Sequence, residues 1–126
     1  MSQSLASIYL HAVFSTRDRQ QFLRDGRRLW AYIAGVSNER ACPAIEVGGH
    51  VDHVHVLARF GKEITVADWI RDMKRASSSF MKESEPSFFW QAGYGVFSVE
   101  AANVDKVAAY IRNQEQHHST VSSRTS

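Results

Sequence analysis

Two histidines one residue apart, His53 and His55, and a tyrosine four residues ahead of a glutamine, Tyr110 and Gln114, are the side chains whose types and spacing can do chemistry. Residues 50–60, HVDHVHVLARF, otherwise read as a buried β-strand, and side chains along a strand alternate between faces. His53 and His55 therefore point one way, and Val54, Val56 and Ala58 point the other, into a core under helices. Two imidazoles presented together can hold a metal where substrate reaches it; they can equally be structural histidines, hydrogen-bonded within a sheet. Tyr110 and Gln114 fall one turn apart on a predicted helix, NVDKVAAYIRNQEQHH, whose Val104, Val107, Ile111, Gln114 and His118 line one stripe. A tyrosine so placed can be a half-buried anchor. Beside the histidines it acquires a chemical logic. Two imidazoles and an amide oxygen make three neutral ligands, which leave a divalent cation's charge for a phosphate. A zinc hydrolase would more often show a carboxylate or a third histidine. Neutral ligands with open positions suit Mg2+ or Mn2+ holding a scissile phosphodiester, with Tyr110 placed to attack it.

The elements that must position these groups follow from the pattern of the chain. Residues 7–16 alternate as a strand, with Ile8, Leu10, Ala12 and Phe14 on one face and Tyr9, His11 and Val13 on the other. If Leu10 faces the core, His11 shares the face of His53 and His55, where a sheet-surface histidine without a chemical role is the simpler reading. After a basic loop holding Arg17 and Arg19, a helix is predicted from Asp25 to about Ala41, with Leu29, Trp30, Ile33 and Val36 at helical spacing. Pro43 stops it. Residues 44–47 read as a short strand, and Gly48 and Gly49 as the turn, with φ > 0 available, that leads into the histidine strand. Thr65 is a predicted N-cap for a helix carrying Val66, Trp69, Ile70, Met73, Ser77 and Phe80 on one stripe and Arg71, Lys74, Arg75 and Lys82 on the other. Such a basic stripe is either a solvated face or a track for a phosphate backbone. Beyond Pro86, the aromatics of SFFWQAGYGVFSVE read as core, with a strand over 94–99 and a last helix over 103–118.

Strand, helix, strand, strand, helix, strand is the βαββαβ order of a ferredoxin-like α+β sandwich: an antiparallel sheet with two helices on one face and, here, an extra C-terminal helix free to cross the other. The first and third strands become central neighbours, which puts the histidine pair in mid-sheet. The sequence predicts a single domain over 1–118 and a frayed tail over 119–126.

Composition narrows the function classes. The 126 residues are 44% hydrophobic and 22% charged, those of an ordinary globular protein, and enough for one domain that buries about two thirds of its unfolded surface. No apolar run approaches the ~18 residues of a membrane span, and no secretory signal is visible in MSQSLASIYL, so the cytosol is the expected compartment. The single Cys42 excludes an intramolecular disulfide and any cysteine-rich zinc site. A net charge of +2 is a mild bias toward anionic partners, too weak alone to indicate nucleic-acid binding.

The blocks HAVFSTRDRQ, GGHVDHVHVL, RDMKRASSSF, WQAGYGVFSV and YIRNQEQHH occur in an order and over a length that resemble the HUH endonuclease superfamily. Within it they resemble the single-tyrosine transposases of the insertion-sequence-200-like group and their REP-associated tyrosine transposase relatives. The resemblance implies that His53 and His55 are the HUH metal ligands, Gln114 the third ligand and Tyr110 the nucleophile. It further implies a ferredoxin-like fold, a homodimer in which the tyrosine helix can complete the partner's site, and a substrate of single-stranded DNA marked by an imperfect hairpin. A cytoplasmic protein, associated with the nucleoid when on DNA, is implied too. Family members commonly continue past the paired histidines His117 and His118 into another apolar and acidic segment, whereas this chain ends in its polar tail.

The implied chemistry is metal-assisted transesterification. A free tyrosine has a pKa near ~10, so the phenol needs deprotonation or a phosphate already polarised by a metal. Attack gives a 5′-phosphotyrosine and a 3′-hydroxyl and conserves the phosphodiester energy for rejoining, with no nucleotide cofactor. Arg17, Arg19, Arg71, Lys74 and Arg75 are the candidate contacts to the strand or hairpin. His117 and His118 either shuttle protons or cap the helix. Two other functions fit the same residues: a non-catalytic ferredoxin-like nucleic-acid-binding module, which should show exposed aromatics on its central strands, and a metal-dependent phosphodiesterase that uses water and has no need of Tyr110.

Overall fold

The computed structural model describes residues 7–114. In chain order these form β1 (Ile8–Ser15), α1 (Arg27–Glu39), β2 (Ala44–His50), β3 (His53–Phe60), α2 (Val66–Lys82), β4 (Gly95–Val99) and α3 (Val104–Arg112), with single 3-10 turns at Arg17–Arg19 and Ala101–Asn103. The strands make one antiparallel sheet in the order β2-β3-β1-β4, so β1 and β3 are the central pair. This is the ferredoxin-like βαββαβ sandwich expected, with its added C-terminal helix. Residues 115–126, including His117, His118 and the expected tail, lie outside the described residues. No helix among the described residues is long and apolar enough to cross a membrane.

One face of the sheet carries the main core. Leu10, Ala12 and Phe14 from β1 and Val54, Val56 and Ala58 from β3 are buried against Leu29, Ile33 and Val36 of α1 and Trp69, Ile70 and Met73 of α2. The alternation in β1 and β3 and the helical spacing in α1 and α2 dictate that contact. Polar groups that enter this core are satisfied. The Trp69 indole N–H donates to Ser37 Oγ at 2.9 Å, and the Trp90 indole N–H to Ser77 Oγ at 2.9 Å. Thr65 caps α2 as expected, its hydroxyl accepting from the Asp68 N–H at 3.1 Å. The aromatics after Pro86 divide: Phe88 and Trp90 pack edge-on against each other and into the core, while Phe89, Tyr94 and Phe97 are exposed.

The first helix begins at Arg27 behind Gly26, not at Asp25, whose carboxylate pairs with Arg27 Nε at 3.4 Å and makes no backbone cap. A larger departure concerns Gly48 and Gly49. They are not the hairpin turn: β2 continues through them to His50, Val51 and Asp52 turn the chain, and neither glycine has a positive φ. Their small size serves close approach instead. A Cβ on Gly48 would lie 2.8 Å from the Ile111 carbonyl oxygen, and one on Gly49 would strike the His53 backbone across the hairpin. Gly48 is thus where α3 comes down on the second face of the sheet. There Leu57, Ala108 and Ile111 form a smaller core with Val99, Val104 and Val107 at its margin. An ion pair from Arg112 to Glu46 at 3.0 Å ties the end of α3 to β2.

Candidate active site

His53 and His55 lie on the face that α3 covers, adjacent on β3 as alternation requires, their rings nearly perpendicular with centroids 5.1 Å apart. They are only 6% and 7% exposed, so this is a buried polar site under a helix, not an open sheet surface. Leu57, the next residue on that face, is covered by Ala108 and Ile111 and fixes the helix over the pair.

From α3 come the other two side chains. Tyr110 stands edge-on to His55, ring centroids 5.8 Å apart at 90°, and its ring is 48% exposed. Gln114 is 1% exposed and turns inward just beyond the helix end, with Oε1 3.3 Å from His53 Nε2 and its Nε2 donating to the Tyr110 carbonyl at 3.3 Å. All four residues meet within one copy of the chain. The expected helical relation between Tyr110 and Gln114 holds, although α3 itself stops at Arg112 with Asn113 as its cap.

Two residues behind the histidines were not singled out in the sequence as functional. Asp52, in the hairpin turn, has Oδ1 2.8 Å from His53 Nδ1 and Oδ2 3.0 Å from Arg19 Nε. Burial pushes the Asp52 carboxyl up, but the hydrogen bonds from His53 and Arg19 outweigh it and hold the group below its ordinary value. An ionised carboxylate only accepts, so Nδ1 of His53 carries a proton; Nε2 bonds Gln114 Oε1 only when it carries one too, and without that proton it is the ring nitrogen left to bind a metal. Across the sheet, His11 Nε2 is 2.7 Å from His55 Nδ1, the two rings stacked at 5.0 Å. Burial lowers the His11 pKa, which favours the neutral ring, and in one of its two tautomers Nε2 accepts from the Nδ1–H of His55. That pattern also turns Nε2 of His55 into an acceptor. The shared face of His11 and the pair was legible in the β1 alternation; the Asp before the first histidine was the other signal in the sequence.

The donor set fits a hard divalent cation. Among the described residues no three His, Cys, Asp or Glu side chains group to hold a metal, and the amide oxygen of Gln114 is a further donor atom beside the histidine pair. The 3.3 Å between His53 Nε2 and Gln114 Oε1 matches the roughly 3 Å between neighbouring ligands of one six-coordinate cation. Each imidazole has a hydrogen-bond partner on its other nitrogen, the arrangement that orients metal-binding histidines.

The predicted basic contacts are dispersed. Arg19 reaches the site through Asp52. Arg17 lies over the Phe89 ring at 4.3 Å. On α2, in the opposite layer, Arg71 pairs with Asp68 and Asp72, so the stripe is not free of acids as its spacing suggested. Lys74 donates to the carbonyls of Gln91 and Gly93 at 2.8 and 2.7 Å, where burial lowers its pKa; Arg75 is exposed.

Comparison with known proteins bears on the family and the fold. The model of a family described as "Transposase IS200 like" matches residues 4–114. Among curated proteins, nothing matches the chain. Two solved structures share its fold. A Deinococcus radiodurans R1 protein, provisionally assigned as a transposase, is 20% identical with a TM-score of 0.71, over 91% of this chain and 98% of the other. A REP-associated tyrosine transposase bound to a REP hairpin is 15% identical with a TM-score of 0.68, over 94% of this chain and 74% of the other. With the family model spanning all of the described residues, the chain belongs to the IS200-like transposase family.

Proposed function

We propose that this chain cuts and rejoins single-stranded DNA by transesterification, with Tyr110 as the nucleophile and His53, His55 and Gln114 as ligands of a divalent cation, Mg2+ or Mn2+. One observation carries the proposal: an exposed phenol stands against the histidine pair, and an amide oxygen lies 3.3 Å from Nε2 of His53. The cation, when bound, withdraws charge from the scissile phosphate. The protein's own residues do the rest. Asp52 and His11 fix the two imidazoles, the Gln114 amide is oriented by the Tyr110 carbonyl, and α3 holds the phenol at the edge of the site.

In the step itself the Tyr110 oxygen forms a bond to phosphorus as the bond to the 3′-oxygen breaks. The phenol proton departs, and the leaving oxygen gains one to become a 3′-hydroxyl. One phosphodiester replaces another, so the 5′-phosphotyrosine can be resolved by a second 3′-hydroxyl without ATP. Of the five basic candidates we assign the backbone of the strand chiefly to Arg19 and Arg17, beside the site, with Arg75, Arg71 and Lys74 adding to the field of the far layer. A DNA hairpin is the proposed recognition element, supported by the hairpin-bound neighbour of the same fold, and a homodimer acting on cytoplasmic DNA is the proposed working form.

A denaturing-gel assay tests the proposal. Labelled single strands from the DNA flanking the protein's own gene are incubated with Mg2+ or Mn2+. A covalent protein–DNA adduct is expected, lost on chelation and in Tyr110→Phe. Cleavage that survives in Tyr110→Phe overturns the transesterification reading in favour of a water-using phosphodiesterase, and hairpin binding with neither adduct nor cleavage leaves only a binding module.

A further inference from the structure

Among the described residues the face that holds the histidines is only partly covered. Helix α3 lies over β2 and β3 and reaches β4 only at Val99, and no other described element lies over that face of β1 and β4. The register says what it presents. His53 is opposite Ser15 and His55 opposite Val13. One strand further, Val13 is opposite Gly95 and His11 opposite Phe97. A row of side chains therefore leads from the histidine pair across β1 to β4 without leaving the face.

At the end of that row Phe97 is 59% exposed, its ring centroid 6.3 Å from that of His11, which is itself bonded to His55. Gly95 makes room for it: a Cβ there would lie 3.2 Å from the Phe97 ring. The ring is thus held down beside the Gly95 backbone while remaining open to solvent. Beside it runs a groove of about 380 Å3 whose lining includes Val13, Ser15, Gly93, Gly95 and two exposed aromatics, Tyr94 and Phe97. The groove's outer wall is fixed by Lys74, which holds the carbonyls of Gln91 and Gly93. At its inner end Arg19 approaches Ser15 Oγ at 3.5 Å while paired to Asp52 behind His53.

Single exposed aromatics are common and need no explanation. Two on one rigid groove, two strand spacings or roughly 10 Å from the histidine pair, with a cation between groove and site, form a pattern suited to single strands: a π-face for a base and a positive charge for its phosphate. We propose that the β1–β4 half of the sheet face is a nucleobase shelf, on which a base adjoining the scissile phosphate stacks against Phe97 with Tyr94 at the lip. The proposal rests on the single-strand reading above and extends it by naming where the strand lies.

The test is equilibrium binding of the full chain, in chelator so that no chemistry occurs, to a labelled oligothymidylate of about 20 nucleotides and to a strand of equal length made of abasic sites. Phe97→Ala is expected to weaken oligothymidylate binding by about 5- to 100-fold and to leave abasic-strand binding unchanged. Phe97→Trp should restore the base-dependent part. Equal binding by wild type and Phe97→Ala overturns the shelf. So does a Phe97→Ala protein that sediments as a monomer where wild type is a dimer, since the face would then be an interface between copies. The adduct assay separates the two readings: an adduct with Phe97-independent binding refutes the shelf alone, and Phe97-dependent binding with no adduct refutes transesterification alone.

Discussion

Replacing Gly48 with alanine should damage the candidate site without touching any of its four side chains. The added methyl would sit 2.8 Å from the Ile111 carbonyl oxygen and 3.1 Å from Ile111 Cγ2, where ordinary contact begins at 3.4 Å. The tighter clash is with backbone, so rotating a side chain cannot relieve it, and α3 must rise by roughly 0.6 Å. Overpacking of this kind costs about 1–3 kcal/mol, a fall of several degrees in melting temperature for a domain this size. The functional effect is the larger one. Tyr110 and Gln114 ride on or just past the segment that moves, while His53 and His55 stay with the sheet. Constellations of this sort tolerate about 0.5 Å, and a 1 Å misplacement costs about 100-fold, so adduct formation should slow roughly tenfold and Mn2+ affinity should fall with it.

Gly35→Ala is the control, because a Cβ at Gly35, inside α1, meets nothing within 4 Å. It should raise stability by about 0.5–1 kcal/mol, the usual gain for alanine over glycine within a helix, and leave the adduct rate alone. Thermal melting, Mn2+ binding and adduct kinetics on the same preparations decide the matter. A Gly48→Ala protein that keeps wild-type metal affinity and adduct rate, whatever its melting temperature, refutes the claim that Gly48 sets the height of α3 over the histidines.

Two further substitutions probe the residues behind the imidazoles. Asp52→Asn keeps the shape but removes the charge that the His53 Nδ1–H meets, so Mn2+ affinity measured by calorimetry should drop about tenfold, at the low end of what such outer partners contribute. Because hydrogen bonds hold the Asp52 carboxyl below its ordinary value, its support is complete above the ordinary carboxylate range and fades only as pH falls through the lowered value; the loss in the variant should therefore be constant across neutral pH. His11→Phe retains a ring to stack on His55 but takes away the nitrogen bonded to its Nδ1, the loss of a buried hydrogen bond at a cost of about 1–3 kcal/mol. Metal affinity should fall about tenfold there too, and unchanged affinity would show that His11 only fills space.

What the sequence disclosed and what it hid follow from the range of the interactions involved. Alternation placed Leu10, Ala12 and Phe14 in the core and His53 and His55 together on the other face, because strand geometry is local and period two is strict. The Thr65 cap is equally local. Gly48 and Gly49 read as a turn since the commonest local use of paired glycines is a turn; their actual use, admitting α3 and the opposite strand, depends on elements distant in the chain. Arg71 and Lys74 could be read as either a solvated face or a phosphate track because a helical stripe does not show that Asp68 and Asp72 lie within reach of one, or that the 91–93 loop folds onto the other. The aromatics around 88–97 read as core, and that reading is right for Phe88 and Trp90 but not for Phe89, Tyr94 and Phe97: whether a ring is buried depends on which surface a helix covers, and the sequence shows that α3 exists without showing where it lies.

The division of that second face explains how so small a domain can both hold a reactive constellation and receive a flexible polymer. Under α3, between β2 and β3, the side chains of the candidate site have fixed partners: His53 with Asp52, His55 with His11, Gln114 with the Tyr110 carbonyl. Buried polar groups of this kind resist motion, since each displacement strands a donor or an acceptor. Over β1 and β4 the same sheet, with the same rigidity, carries exposed rings, and among the described residues no element crosses it beyond Val99. Tyr110 and His11 stand on the boundary, one half-exposed at the rim of the helix and the other bridging His55 to Phe97. Substitutions at Gly48 or Asp52 should therefore alter metal binding and chemistry with little change in single-strand affinity, and substitutions at Phe97 the reverse. Only at His11, which touches both halves, should the two properties move together.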